Sequence, residues 1–152
     1  MAASRRGRLA RPFSSVESAA WGGFLAAYAR LDRAIDADLM AHDGIRHPEF
    51  EVLLRLWREP GQRLRLQDLA ARSLLTRSGV SRLVERLVRE GLLTREVAAE
   101  DKRGSYVVLT TRGRAVFEAA ADRHMAMVRE LFLGRLSEAE LTQLGALWPR
   151  LG

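Results

Sequence analysis

Apolar side chains recur at helical spacing over most of the chain, and short polar segments separate these runs. The first run follows Ser14, where a capping box with Glu17 predicts a helix start, and it extends to about Met40. A second amphipathic run begins at Pro48, a residue favoured at a first helical position, and it stops at the Pro-Gly pair 60–61. The pattern therefore predicts two helices before that pair.

The middle of the chain predicts shorter elements. Residues 66–72 can form two helical turns, and Thr76 offers a hydroxyl N-cap for a further helix that Gly91 ends. The β-prone runs 92–97 and 105–109 predict a hairpin closed by the polar loop between them. Two short helices followed by a β-hairpin are the winged helix-turn-helix arrangement.

Two more helices are predicted after the hairpin. Thr110 caps the first, which extends to about Phe132 before Gly134 interrupts it. A capping box formed by Ser137 and Glu140 begins the second.

The long terminal helices carry more apolar side chains than a small central lobe needs for its core. We therefore predict one domain over residues 14–152, with a winged helix-turn-helix lobe at about 48–112 and dimerisation helices at about 14–42 and 111–152. The fold class is mainly α with a small β component. A monomer whose terminal helices fold back as a bundle is the alternative.

Positive charge is concentrated in two places. The net charge is +6, and Lys102 is the only lysine among 25 basic residues. Residues 55–114 hold 14 basic and seven acidic side chains, while the arginine-rich segment 1–13 is predicted to be a mobile tail. Because arginine suits phosphates and guanine edges, a polyanion such as double-stranded DNA would meet the middle segment.

The helix predicted after Thr76 separates apolar from polar side chains. Its apolar stripe consists of Val80, Leu83, Val84 and Leu87. The DNA-contact candidates on the rest of its surface are Arg77, Ser78, Ser81, Arg82 and Arg86. Serine lets a helix approach DNA closely, and arginine can form two hydrogen bonds with guanine. A merely solvated helix face is the alternative interpretation.

The predicted hairpin tip carries Lys102 and Arg103 next to Asp101. An arginine there can enter a narrow minor groove, where the negative potential is strongest. Taken alone, such a basic turn is common.

In register, these motifs resemble the MarR family of bacterial transcriptional regulators. Residues 101–113, DKRGSYVVLTTRG, match the family's D-x-R followed by L-T-x-x-G, and residues 76–87, TRSGVSRLVERL, resemble its recognition helix. The resemblance extends from about Trp21 to Arg150. It implies a homodimeric, sequence-specific DNA-binding regulator with each recognition helix in a major groove of a pseudo-palindromic operator and each Arg103 in the flanking minor groove.

The resemblance also assigns roles around the hairpin, or wing. Asp101 would orient the wing by pairing with a neighbouring arginine, with Arg86 the first candidate. Lys102 stands where the family often has arginine, which matters little for a phosphate contact. Arg65 stands where a capping hydroxyl is usual, so the short helix lacks an obvious local acceptor for its first amides.

Members of the family often bind small aromatic acids between the dimerisation helices and the DNA-binding lobe, so a small aromatic or anionic effector that releases a repressor from DNA is expected. The candidate pocket residues are Trp21, Phe24, Tyr28, Phe50, Trp57 and His124. Aromatic side chains at helical spacing are usually core or dimer seam, and that interpretation stands beside the pocket.

Other functional classes lack the residues they need. With no cysteine, and with His42, His47 and His124 not spaced as ligands on one helix, no metal or other cofactor is expected. No nucleophile with a base is present, so an enzyme is not expected. The longest uncharged run, 18–29, is too short to cross a bilayer, so a cytoplasmic protein without a membrane partner is expected. A ligand- or protein-binding module that keeps this fold without specific DNA binding is the competing hypothesis.

Overall fold

The computed structural model describes residues 11–97 and 105–151, which fold mainly into helices. The helices are α1 Ser15–Asp43, α2 His47–Arg58, α3 Leu66–Ala71, α4 Arg77–Arg89, α5 Thr111–Leu131 and α6 Glu138–Leu147. The strands are β1 Arg63–Arg65, β2 Leu93–Val97 and β3 Ser105–Leu109. This order confirms the predicted winged helix-turn-helix fold between long terminal helices. Most of the predicted N-terminal tail lies outside the described residues.

Both ends of α1 use local signals. Ser14 Oγ accepts a hydrogen bond from the Glu17 amide at 3.2 Å, and the Glu17 carboxylate accepts one from the Ser14 amide at 2.7 Å. At the other end, Gly44 adopts the left-handed conformation with φ of 67°. Only Ile35 and Leu39 of α1 are buried, so the N-terminal half of the helix exposes its side chains.

The pair α3 and α4 forms the helix-turn-helix. Thr76 Oγ1 accepts a hydrogen bond from the Gly79 amide at 3.1 Å, as its predicted capping role requires. Gly91 follows α4 with φ of 74°, which confirms the predicted end. The buried residues of α4 are those of the predicted stripe: Val80, Leu83, Val84 and Leu87.

The sheet contains one strand that the sequence pattern did not predict. The strands β2 and β3 form the predicted antiparallel hairpin, with Leu93 opposite Leu109. The third strand, β1, pairs antiparallel with β3, with Leu64 opposite Val107, so the order is β1-β3-β2. Three residues are too few to show an alternating pattern, and their partner lies far along the chain. Only the paired structure reveals this strand.

The last two helices begin where their caps predicted. Thr110 Oγ1 accepts a hydrogen bond from the Gly113 amide at 2.9 Å and donates one to the Gly91 carbonyl at 2.8 Å, so the start of α5 is tied to the end of α4. Ser137 and Glu140 form a capping box at the start of α6. None of the residues of α6 is buried.

One apolar core joins the C-terminal half of α1 to α2, α3, α4, α5 and the sheet. Its largest fully buried side chains are Phe50, Leu39, Leu53, Leu56, Leu69, Leu87 and Leu93. Among the helices formed by residues 11–97 and 105–151, none has the length and apolarity that a bilayer crossing requires.

We expect Gly113→Ala to destabilise the fold because no Cβ fits at this position. A Cβ there would overlap the Leu92 carbonyl oxygen and lie 2.9 Å from Leu109 Cδ1. Since the obstacle includes backbone, the free energy of unfolding should fall by about 3 kcal/mol in urea titrations. Gly23→Ala in α1 is the matched control, because its Cβ would have no heavy atom within 4 Å. That control should gain about 1 kcal/mol from helix propensity; equal stability of the two variants would contradict the steric account.

Candidate nucleic-acid interface

The outer face of α4 presents short polar side chains and arginines to solvent. Arg77, Ser78 and Arg82 are exposed, and Ser81 is partly exposed. All lie in the first half of the helix, where backbone amides point outward and the helix dipole favours phosphate. Thr76 Oγ1 also lies 3.2 Å from Ser78 Oγ, so both hydroxyls stand at the helix start. Four of the five predicted contact residues on this helix therefore share one accessible surface.

Arg86 differs from the other four candidates. Its Nη2 forms an ion pair with Glu49 Oε1 of α2, and its Nε is buried without a hydrogen-bond partner among the described residues. Its guanidinium is thus turned toward α2. The predicted partner, Asp101, lies outside the described residues, so that pairing stays a prediction.

Glu49 is a site residue that sequence reasoning missed. It is only 4% exposed and is the one buried charged residue in the described part of the chain. Its Oε2 accepts a hydrogen bond from the Arg46 amide at 2.6 Å, at the start of α2. The only signal in the sequence was an acidic residue in a first helical turn, which normally indicates a solvent-exposed capping role.

The wing base is described, but its tip is not. Lys102 and Arg103 lie in 98–104 with Asp101, so their predicted roles remain untested. On the described strands, the Arg63 guanidinium lies 3.9 Å from the centre of the Tyr106 ring, a cation–π contact. This contact joins β1 to β3 on the outer face of the sheet, and the sequence did not predict it.

Asp36 of α1 caps the start of α2 from outside that helix. Its Oδ1 accepts a hydrogen bond from the His47 amide at 2.9 Å, and its Oδ2 accepts one from Arg46 Nη1 at 2.7 Å. Burial acts to raise the pKa of Asp36, but the hydrogen bonds from His47 and Arg46 outweigh it and hold the pKa below its ordinary value. Asp32 Oδ1 lies 2.8 Å from His47 Nδ1 and strengthens the same junction.

A second junction joins α1 to α5. Arg123 donates to Asp38 Oδ2 at 2.9 Å through Nε and forms an ion pair with Asp43 through Nη2. The hydrogen bond to Asp43 is the main cause that holds the pKa of Arg123 above its ordinary value, with Asp38 adding to it against a smaller effect of burial. The carboxylates of Asp36, Asp38 and Asp43 therefore connect α1 to both α2 and α5.

A cavity of about 620 Å³ opens between α2 and α5. Of the predicted pocket residues, Phe50, Trp57 and His124 line it, and Phe117 lines it as well. The other three predicted aromatic residues lie on the exposed half of α1: Trp21, Phe24 and Tyr28. The Phe24 ring lies 6.2 Å from the Trp148 ring, between centroids, which places these residues beside the C-terminal segment instead of the cavity.

His124 lines this cavity from α5. Its ring lies 4.3 Å from the Phe50 ring and 6.0 Å from the His47 ring, between centroids, and its Nδ1 is buried without a hydrogen-bond partner in the described ranges. Burial is the main cause that lowers the pKa of His124; the charge of His47 also lowers it, and that of Glu51 raises it. Within residues 11–97 and 105–151, His, Asp and Glu side chains nowhere form a group of three or more suited to a metal ion.

Comparison with known proteins places this architecture in a family. The family model for the MarR family matches residues 43–104. The HTH-type transcriptional repressor YetL of Bacillus subtilis is 31% identical over 111 residues, which cover 71% of this chain and 66% of the repressor.

Two solved structures from Streptomyces coelicolor match nearly the whole chain. AbsC, a MarR family transcriptional regulator, is 31% identical with a TM-score of 0.87, over 93% of this chain and 96% of AbsC. Sco3205, a MarR family regulator solved in complex with DNA, is 30% identical with a TM-score of 0.89, over 93% of this chain and 89% of Sco3205. The shared helix-turn-helix, sheet and terminal helices thus agree with the sequence similarity, and this chain belongs to the MarR family of DNA-binding transcriptional regulators.

Proposed function

We propose that two copies of this chain form a homodimer that binds a pseudo-palindromic operator, with one α4 in each of two successive major grooves. The observation that carries this proposal is the polar face of α4, which is accessible because the opposite face is fully occupied by the core. The DNA-bound relative Sco3205 shares the fold over most of both chains. The proposed activity is DNA binding in the cytoplasm, without a chemical reaction.

The apolar surface of the terminal helices supports the dimer. Trp21, Phe24 and Tyr28 follow one face of α1 with successive ring centroids 6.0 and 6.5 Å apart. Trp148 adds to this surface from the segment after α6, and Leu151 beside it is also exposed. A monomer would leave this continuous apolar surface in water. A two-fold dimer would cover it, because each copy presents the same patch to the other.

We expect the wild-type protein to sediment with the mass of two chains at micromolar concentration, and Trp148→Asp to shift it toward one chain. The substitution places a charge in the centre of the proposed interface, where it would lose its water. Leu74→Asp is the matched control, because Leu74 is 86% exposed in the turn before α4, away from the aromatic residues. A wild-type mass near one chain, or an equal effect of both variants, would contradict the dimer.

The wing tip completes the proposed interface. Arg103 would enter the minor groove beside each major-groove contact, and Lys102 would contact phosphate. Asp101 would orient this tip.

We expect Arg82→Ala to weaken operator binding by about 1–3 kcal/mol per half-site and to relax the preference at one base pair in each. The operator would be selected from random duplexes with the wild-type protein, and affinities would be measured for every single-base variant. The affected base pairs should be related by the operator dyad, with half-sites about one helical turn apart. Arg30→Ala, an exposed arginine on α1, should change neither affinity nor preference.

A uniform loss over all variants would reject base contact by Arg82 and leave it a phosphate contact. Binding of the wild-type protein that does not weaken as salt rises would reject the DNA-binding proposal itself. The competing module that keeps the fold without specific DNA binding would select no operator, because its affinity for every duplex would be alike.

We further propose the cavity between α2 and α5 as the effector site. Phe50, Phe117 and Trp57 supply aromatic walls. The ring centroids of Phe50 and Phe117 lie 5.3 Å apart, and those of Phe117 and Trp57 lie 5.2 Å apart. The cavity is also lined by Glu118 and Asp122, and by Arg58 and Arg129, which would pair with the carboxylate of an acid. These side chains suit a small aromatic acid.

We expect benzoate, as a probe, to raise the melting temperature of the wild-type protein in a concentration-dependent way. Ala121→Trp should abolish this shift, because Ala121 lines the cavity and an indole would fill it. Ala119→Trp is the matched control on the same helix, since Ala119 is exposed and does not line the cavity. A benzoate shift that survives Ala121→Trp would place the site elsewhere.

A further inference from the structure

We propose that Arg86 is a positioning residue and not a DNA contact: its ion pair with Glu49 fixes α4 against α2. This inference rests on the proposed function, because the orientation that it fixes is that of the DNA-binding helix. It also replaces the DNA contact that the sequence alone predicts for Arg86.

The burial of Glu49 makes this ion pair a strong constraint. Moving a carboxylate out of water costs several kcal/mol unless a cation and hydrogen bonds compensate it. At Glu49 both carboxylate oxygens are used, since Oε1 pairs with Arg86 Nη2 and Oε2 accepts the Arg46 amide. Among the described residues, Arg86 is the only cation paired with Glu49.

The position of Arg86 on α4 explains why it reaches inward. At 3.6 residues per turn, Arg86 projects about 60° from Leu83, so it flanks the buried stripe, whereas Arg82 projects about 100° from Leu83. Arg82 and Arg89 are exposed, and no ion pair of either occurs within the described ranges. Arg86 instead keeps its Nε buried, and its side chain as a whole is 43% exposed.

The ion pair joins two helices that otherwise approach each other little. The recognition helix α4 packs most closely on α3 and β2, while α2 packs on α5 and α1. Glu49 lies in the first turn of α2, and Arg86 lies in the last turns of α4. The pair therefore fixes the C-terminal end of α4 and, through the rigid helix, the direction in which its N-terminal half projects toward DNA.

The test uses three full-length variants: Glu49→Met, Arg86→Met and the double variant. Arg86→Met leaves a buried carboxylate without its cation and risks unfolding, whereas the double variant replaces the pair by two apolar side chains and should fold. The equilibrium constant of unfolding is measured for all three variants in urea. For the double variant it should be at least tenfold smaller than the value expected if the effects of the two single substitutions were additive. Additive effects would overturn the pairing, and this readout needs no DNA.

DNA binding by the double variant then separates positioning from contact. A positioning role predicts an unchanged slope of log affinity against log salt, unchanged affinity for non-specific duplex, and operator affinity at least fivefold weaker. A phosphate contact predicts a slope smaller by about two per dimer and weaker binding to every duplex, which would overturn the proposal. Unchanged operator affinity would also overturn it, because the orientation of α4 would then not depend on the pair.

Two further measurements separate the ion pair of Glu49 and Arg86 from the proposed DNA-binding function. Arg82→Met should weaken operator binding without altering the coupling between Glu49 and Arg86. A wild-type protein that binds no duplex in a salt-dependent way would reject the proposed function. The unfolding cycle would in that case still decide whether Glu49 and Arg86 fix the two helices.

Discussion

The fold depends first on the full burial of one face of α4. Val80, Val84 and Leu87 are completely inaccessible, and Leu83 is nearly so. A helix with one side so fixed in the core can turn only its other side to solvent, which is where Arg77, Ser78 and Arg82 lie. The accessible polar surface is therefore a consequence of apolar packing, and loss of that packing would remove the surface together with the core.

Ion pairs and charged hydrogen bonds join the helices in addition to the apolar packing. Apolar packing fixes which face of a helix is buried, and an ion pair between helices adds a directional contact that is favourable only in a narrow geometry. Glu49 with Arg86, Asp36 with the start of α2, and Arg123 with two carboxylates of α1 each join different helices. Together they relate the recognition helix to α2, α2 to α1, and α1 to α5. Of the three junctions, only that of Glu49 and Arg86 contacts α4.

The terminal helices carry apolar surface that no other described part of the chain covers. The N-terminal half of α1 and all of α6 remain without a buried residue. In the proposed dimer a second copy would cover these surfaces by mutual burial, and it would also set the distance between two recognition helices. In the proposed dimer, the apolar surface of the terminal helices joins the two copies and the polar face of α4 meets DNA. Binding to a palindromic operator requires both surfaces.

The elements whose causes lie within a few residues follow from the amino-acid sequence alone. Hydroxyl caps at Ser14, Thr76, Thr110 and Ser137, glycines at helix ends and the apolar stripe of α4 each act within a few residues, so they could be predicted one by one. Features that depend on distant partners emerge only from the folded chain: the pairing of β1 with β3, the inward turn of Arg86 to Glu49, and the division of the aromatic residues between a cavity and the exposed half of α1. In each case the stabilising contact joins segments that are far apart in sequence. The local pattern of apolar and polar residues does not indicate which segments meet.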